Sequence, residues 1–172
     1  MSESKLITRA RHGDEAAWEM LVSQHQAAAF RLAHLLTGDA DEAEDVAQEA
    51  FIRAFRALDR FDADRPFRPW LLRITANLAR NRQRALGRYM AALRRLVGTD
   101  PGLASSTSEE NSSPPWEAQT LWQAVRRLNP TDQEVIYLRY FLELPEAEMA
   151  MTLEVAPGTV KSRLHRALKR LR

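Results

Sequence analysis

The chain has 172 residues, 45% of them hydrophobic and 28% charged, an ordinary globular composition long enough for one domain or two small ones. It contains no cysteine, which excludes disulfides, thiolate zinc sites and cysteine nucleophiles. No stretch approaches the ~20 apolar residues of a membrane span and no apolar signal segment stands at the N-terminus, so a cytoplasmic protein without membrane insertion is expected. The apolar residues are mostly Ala, Leu and Val, a mix that favours helices over sheets.

The net charge of +2 conceals a strong segregation. Residues 39–64 carry nine acids and three bases, whereas residues 65–99 carry nine arginines and no acid. Residues 100–120 hold four acids and no base, residues 121–156 six acids and three bases, and residues 157–172 six bases and no acid. A solvated helix face mixes its signs, so two one-sided basic blocks suggest polyanion contact at two places.

In chain order, Asp14 is placed to cap a helix running to about Leu36, with Trp18, Leu21, Val22, Ala29, Leu32, Ala33 and Leu36 as its apolar stripe. Gly38 and Asp39 end it and start the next helix, Ala40 to Leu58. Here Ala43, Val46, Ala47, Ala50, Phe51, Ala54, Phe55 and Leu58 recur at alternating spacings of three and four. The opposite face puts acids first and arginines last, as the helix dipole prefers. A polar loop, Arg60 to Pro66, holds Phe61. The next helix starts near Phe67, buries Trp70, Leu71, Ile74 and Leu78, runs to about Ala85, breaks at Gly87 and resumes through Leu96.

Residues 98–115 read GTDPGLASSTSEENSSPP, a flexible linker with too little apolar surface to offset its ordering entropy. Beyond it a helix from about Trp116 to Leu128 carries Leu121, Trp122, Val125 and Leu128. Asn129-Pro130 turns the chain, and Thr131 with Glu134 reads as a capping box. Pro145 fits the first turn of a third helix, and residues 155–158 turn into the last one. The expected fold is all-α: two small helical domains, residues 1–97 and 116–172, the second containing a helix-turn-helix at about 145–165.

The last helix carries the chemical inference. Val160, Leu164, Ala167, Leu168 and Leu171 form a stripe that seats it on a partner helix. Lys161, Ser162, His165 and Arg166 lie on the opposite face near its N-terminal end, where a recognition helix needs donors for base edges. Arg163 reaches toward phosphates, and Thr159 caps the helix or gives a hydroxyl to phosphate. A basic amphipathic helix also suits a membrane surface, but this apolar face is narrow and lacks aromatics, and the preceding cap, helix and tight turn favour a DNA-binding unit.

The run LNPTDQEVIYLRYFLELPEAEMAMTLEV followed by GTVKSRLHRALKRLR resembles the fourth domain of bacterial sigma factors of the extracytoplasmic-function group. The run LLTGDADEAEDVAQEAFIRAFRALDRFD followed by PFRPWLLRITANLARNRQR resembles the second domain of the same sigma-70 family. The resemblance covers about residues 14–90 and 117–172. It implies a factor that binds core RNA polymerase and directs promoter-specific initiation.

By that resemblance, the acidic helix docks on the clamp helices of the largest subunit through Asp45, Gln48 and Glu49. A solvated capping role and a carboxylate metal site are the alternatives, the latter without a histidine at ligand spacing. The arginine-rich helix melts and reads the minus-ten element: Phe61 and Asn77 match residues of a pocket for a flipped base, and Arg68, Arg73, Arg80, Arg84 and Arg88 hold the backbone. Packing for Phe61 and a helix-surface or core hydrogen bond for Asn77 stand equally open. Thr159, Lys161, Ser162, Arg163, His165 and Arg166 read the minus-thirty-five element. The implied partners are core polymerase, including its flap, promoter DNA and an anti-sigma factor, with no cofactor.

Two positions depart from the family pattern: Glu143 and Pro145 stand where a glycine and a serine cap are usual. The competing reading is a stand-alone helix-turn-helix regulator. An enzyme is not expected, for there is no phosphate loop, nucleophile elbow or metal-ligand motif.

Overall fold

The computed structural model describes residues 2–97 and 116–171, and the linker expected at 98–115 lies outside them. Among the described residues every regular element is helical. The first half comprises α1 (Glu3–Arg11), α2 (Glu15–Thr37), α3 (Ala40–Ala57), a 3₁₀ turn (Leu58–Arg60) and α4 (Phe67–Val97). The second comprises α5 (Trp116–Arg126), α6 (Pro130–Ile136) running into a π-helical turn (Tyr137–Phe141), α7 (Glu146–Leu153) and α8 (Pro157–Arg170).

The caps of α2 and α3 follow the sequence. The Asp14 carboxylate accepts from the Ala17 amide and the Asp39 carboxylate from the Glu42 amide. Gly38 ends α2 at φ +74°, in the left-handed region that glycine enters without steric penalty. Many facing positions of α2, α3 and α4 are alanines, including Ala29, Ala33, Ala43, Ala50, Ala54, Ala76 and Ala79, all buried. Small residues at the contacts let the helices approach closely.

Helix α1 was not anticipated. It buries Leu6, Ile7 and Ala10 against α2. Its Glu3 carboxylate accepts from the His25 ring at 2.9 Å and from the Phe67 amide at 3.0 Å, so it caps α4 from a distance in sequence. Helix α4 also differs from expectation: it does not break at Gly87. Gly87 is exposed and flanked by good helix formers, and a lone glycine costs only about 1 kcal/mol against alanine, too little to end a helix so supported.

The capping box at Thr131 is likewise not formed. Asn129 is the N-cap, its side-chain oxygen accepting from the Asp132 amide at 2.9 Å, and Pro130 fills the first helical position. Starting the helix there leaves Thr131 exposed and turns Glu134 inward. At α8 the cap is Ala156, and the Thr159 amide donates to the Ala156 carbonyl at 2.9 Å, so Thr159 sits inside the first turn and does not cap it.

The two halves share a core. Leu32 of α2 and Leu72 and Ala76 of α4 pack in one cluster with Val125, Leu138, Leu144, Met149 and Val160. The polar seam agrees: Arg31 donates to the Phe141 carbonyl at 3.1 Å and Arg68 to the Leu142 carbonyl at 2.8 Å. The π-helical turn makes these acceptors available, because unwinding at a helix end leaves carbonyls without an intrahelical partner.

Candidate nucleic-acid interface

Helix α8 rests on α6 and α7 through Val160, Leu164 and Ala167, all buried, while Leu168 is 39% exposed, which narrows the expected stripe. The far end of α8 is tied down by an ion pair from Arg170 to the buried Asp132, which Asn129 also bonds. The opposite face presents Lys161, Ser162, His165 and Arg166 to solvent, with Thr159 and Arg163 half-buried at its margin. Its first turn contains no acid. Lys161 lies 3.8 Å from Glu146 of α7, a loose surface pair that leaves the ammonium accessible. The face therefore combines rigid seating, exposed donors and positive charge that only the loose Glu146 contact offsets, the requirements for groove entry.

The second site lies where the loop after α3 meets α4. Phe61 is buried and its ring centroid is 4.4 Å from that of Trp70. Phe67 meets both rings, edge-on in the case of Phe61. Beside this stack opens a cleft of about 420 Å³ lined by Arg60, Phe61, Asp62, Arg65, Trp70 and Arg73, with Met151 and Glu154 from α7 and its C-cap. A flat aromatic wall ringed by guanidiniums suits an unstacked base with its phosphates. Phe61 thus serves both readings, packing against Phe67 while lining the cleft.

Asn77 does not join Phe61. It is exposed about two turns beyond Trp70 on α4, where its side-chain oxygen accepts from Arg80 at 3.0 Å. Arg84 and Arg88 stand on the solvent-exposed continuation of α4. Sequence reasoning assigned Trp70 to the core and gave Arg60 and Arg65 no role. Their only signal was the RFDADRPFRPW spacing, which brings the rings of Phe61 and Trp70 and the side chains of Arg60 and Arg65 to one corner.

Arg80 approaches a buried acid of the second half. Its guanidinium is 3.4 Å from Glu134, whose pKa is raised by burial, against the opposing pull of Arg80 and Arg163.

The third surface is on α3. Asp45 and Gln48 are exposed and Glu49 is half-buried, at spacings that place them on one face. Asp45 lies 3.5 Å from Arg82, Gln48 donates to Glu44 at 3.4 Å, and Glu49 pairs with Arg53 at 2.7 Å. Ile52 and Phe55 continue this side of the helix, 46% and 51% exposed. The regular apolar pattern had placed Phe55 in the core, and Trp18 instead covers only part of its ring, at 5.1 Å. Two exposed apolar side chains thus stand beside the acids on this side of α3. Among the described residues no His, Asp and Glu group is arranged to hold a metal ion, and no helix is long and apolar enough to cross a membrane.

A helix-turn-helix with an acid-free reading helix, joined to an arginine-studded helix with an aromatic cleft, defines a DNA-binding protein of the transcription machinery. The comparisons with known proteins agree. The model of Sigma-70 region 2 matches residues 21–89, and that of Sigma-70 region 4 matches residues 118–171. The chain is 34% identical to the ECF RNA polymerase sigma factor SigW of Bacillus subtilis, over all of this chain and 96% of that one. It is 34% identical to the RNA polymerase sigma-H factor of Pseudomonas aeruginosa, over 96% and 89% of the two chains. Among solved structures it resembles CnrH in complex with the cytosolic domain of CnrY, with a TM-score of 0.73 and 27% identity over 98% of this chain and 94% of that one. The chain belongs to the extracytoplasmic-function group of the sigma-70 family. It is accordingly an RNA polymerase factor of promoter-specific transcription initiation.

Proposed function

We propose that the two halves divide the work of promoter recognition. Residues 1–97 form the domain that docks on the polymerase clamp helices through Asp45, Gln48 and Glu49, with Ile52 and Phe55 adding apolar area. The cleft at Phe61 and Trp70 takes an unstacked base of the minus-ten element, while Arg73, Asn77, Arg80 and Arg84 hold the strand. Residues 116–172 form the domain that reads the minus-thirty-five element in duplex form with Thr159, Lys161, Ser162, Arg163, His165 and Arg166, and that meets the polymerase flap. The factor is non-catalytic and acts in the cytoplasm with its polymerase. An anti-sigma factor is the further partner in this reading, in keeping with the structure of CnrH, which holds it in complex with the cytosolic domain of CnrY.

The observation that carries this reading is the pairing, on one chain, of an acid-free exposed face on α8 with an arginine-ringed aromatic cleft on α4. Duplex reading and single-strand reading need those two different surfaces. Run-off transcription with purified chain and core polymerase tests it. Promoter-dependent product should require both components and fall at least tenfold in the Lys161→Ala, Arg166→Ala double variant. Tight promoter binding by the chain alone, with no transcript, would instead indicate a stand-alone regulator.

A further inference from the structure

Helix α1 takes no part in the three surfaces described above, yet it holds both ends of the loop that carries Phe61. At the entry, Arg11 Nε donates to the Leu58 carbonyl at 2.9 Å. The same carbonyl accepts from the Phe61 amide at 3.1 Å, so the guanidinium steadies the turn on which Phe61 sits. At the exit, Glu3 accepts from the Phe67 amide at 3.0 Å and, through its other oxygen, from the His25 ring at 2.9 Å. That ring in turn lies against Phe67, with centroids 5.3 Å apart. Between these anchors the loop is closed by short-range bonds. The Asp64 amide donates to the Asp62 carboxylate at 3.1 Å and the Arg65 amide to the Asp62 carbonyl at 3.0 Å. Such bonds fix the shape of the loop but not its place on the domain.

The apolar face of α1 does not need these polar groups in order to dock. Leu6 and Ile7 are fully buried and share one cluster with Leu58, Phe61, Phe67 and Leu71. Glu3 and Arg11 stand at the two ends of that face, both half-buried. Withdrawing charged groups from water costs free energy unless hydrogen bonds replace those lost. Here the replacements are made at Leu58 and Phe67, on either side of the corner where the Phe61 ring meets that of Trp70. We propose that Glu3 and Arg11 are positioning residues for the minus-ten strand: from α1 they hold the aromatic wall of the cleft in place without touching DNA. The proposal rests on the reading of the cleft given under Proposed function.

The full chain bound to core polymerase tests it, with two probes taken from a promoter that the holoenzyme transcribes. One is a fluorescein-labelled single strand from the melted region, the other a labelled duplex of the upstream element. Arg11→Ala and Glu3→Ala should each weaken single-strand binding about three- to tenfold, the usual net worth of one hydrogen bond. Binding of the upstream duplex should not change. Glu3→Gln keeps an acceptor for the Phe67 amide and should recover most of the loss. Because Arg11 acts through Phe61, Arg11→Ala combined with Phe61→Leu should bind the strand no more weakly than Phe61→Leu alone. Full additivity in that pair overturns the proposal. Equal loss on both probes also overturns it, since that marks general destabilisation. Unchanged strand binding in both alanine variants overturns it as well, and Phe61→Leu then separates the two ideas. If Phe61→Leu loses the strand, the cleft reading stands and only the positioning role falls. If it binds like the parent, the cleft reading falls too.

Discussion

The Glu134 carboxylate of α6 lies buried 3.4 Å from the guanidinium of Arg80 on α4, yet its Oε1 makes no hydrogen bond. Burial dominates, and the carboxyl titrates above its ordinary value of 4.5 despite Arg80 and Arg163. A group whose folded pKa is raised favours the fold while protonated. That contribution is complete below the unfolded value and lost as pH rises through the folded one. At neutral pH the fold therefore carries a cost for keeping this carboxyl out of water that the unfolded chain does not. Glu134→Gln should raise the denaturant midpoint at pH 7, and the gain should vanish as pH falls below about 4.5. Parallel pH dependence of the two proteins would refute this.

Glu3 behaves oppositely. Its pKa is lowered by the hydrogen bond from His25, partly offset by burial and reinforced by the Phe67 amide. Its contribution is present above the unfolded value and lost as pH falls through the folded one. Glu3→Ala removes the cap of α4 and should destabilise the protein by about 1 kcal/mol. Glu3→Gln should flatten the acid limb of the stability curve, measured by urea unfolding across pH.

Glu143 holds φ +55° between the π-helical turn and α7. This is the position where the family pattern has glycine, and the structure shows why: the chain reverses there in the left-handed region. Glu143→Gly should stabilise the protein by about 1 kcal/mol, raising Tm by a few degrees in a calorimetric scan. A lower Tm would show that the glutamate makes a compensating contact.

On α8, single replacements of the exposed Lys161 or Arg166 by alanine should leave Tm unchanged, since neither side chain is buried. Each should weaken promoter binding of the polymerase-bound factor. A residue that contacts phosphate should reduce the slope of log affinity against log salt by about 1. One that reads a base edge should cost about 1–3 kcal/mol at its matched promoter and leave that slope unchanged.

Phe61 has two roles that separate by size. Phe61→Ala should cost about 3–5 kcal/mol by opening a cavity beside Phe67. Phe61→Leu should keep most of that stability while losing the flat wall against Trp70, so single-strand binding should fall in a protein that remains folded. Equal strand affinity for the leucine variant and the parent would confine Phe61 to packing.

The helices of α2, α3 and α8 were legible because their apolar spacing and short-range caps are local properties. Asp14, Asp39 and the stripe of Val160, Leu164 and Ala167 each act within a turn or two of themselves. The basic character of α4 and α8 was equally plain, for charge segregation is a property of composition. What escaped the sequence depends on contacts between distant segments. Glu3 caps α4 across 64 positions, a partnership no local pattern records. Thr131 lost the cap because Pro130 suited the first helical position and Asn129 lay just before it. Phe55 matched the buried register of α3 but is half exposed, because Trp18 of α2 covers only part of its ring. Most consequentially, the sequence by itself determined that Arg73 and Arg80 belong to a positive block suited to a polyanion. Only the tertiary structure decided that Glu154 and Glu134 lie against them, because packing Leu32, Leu72 and Ala76 into the core of the second half brings its acids onto the arginine face of α4.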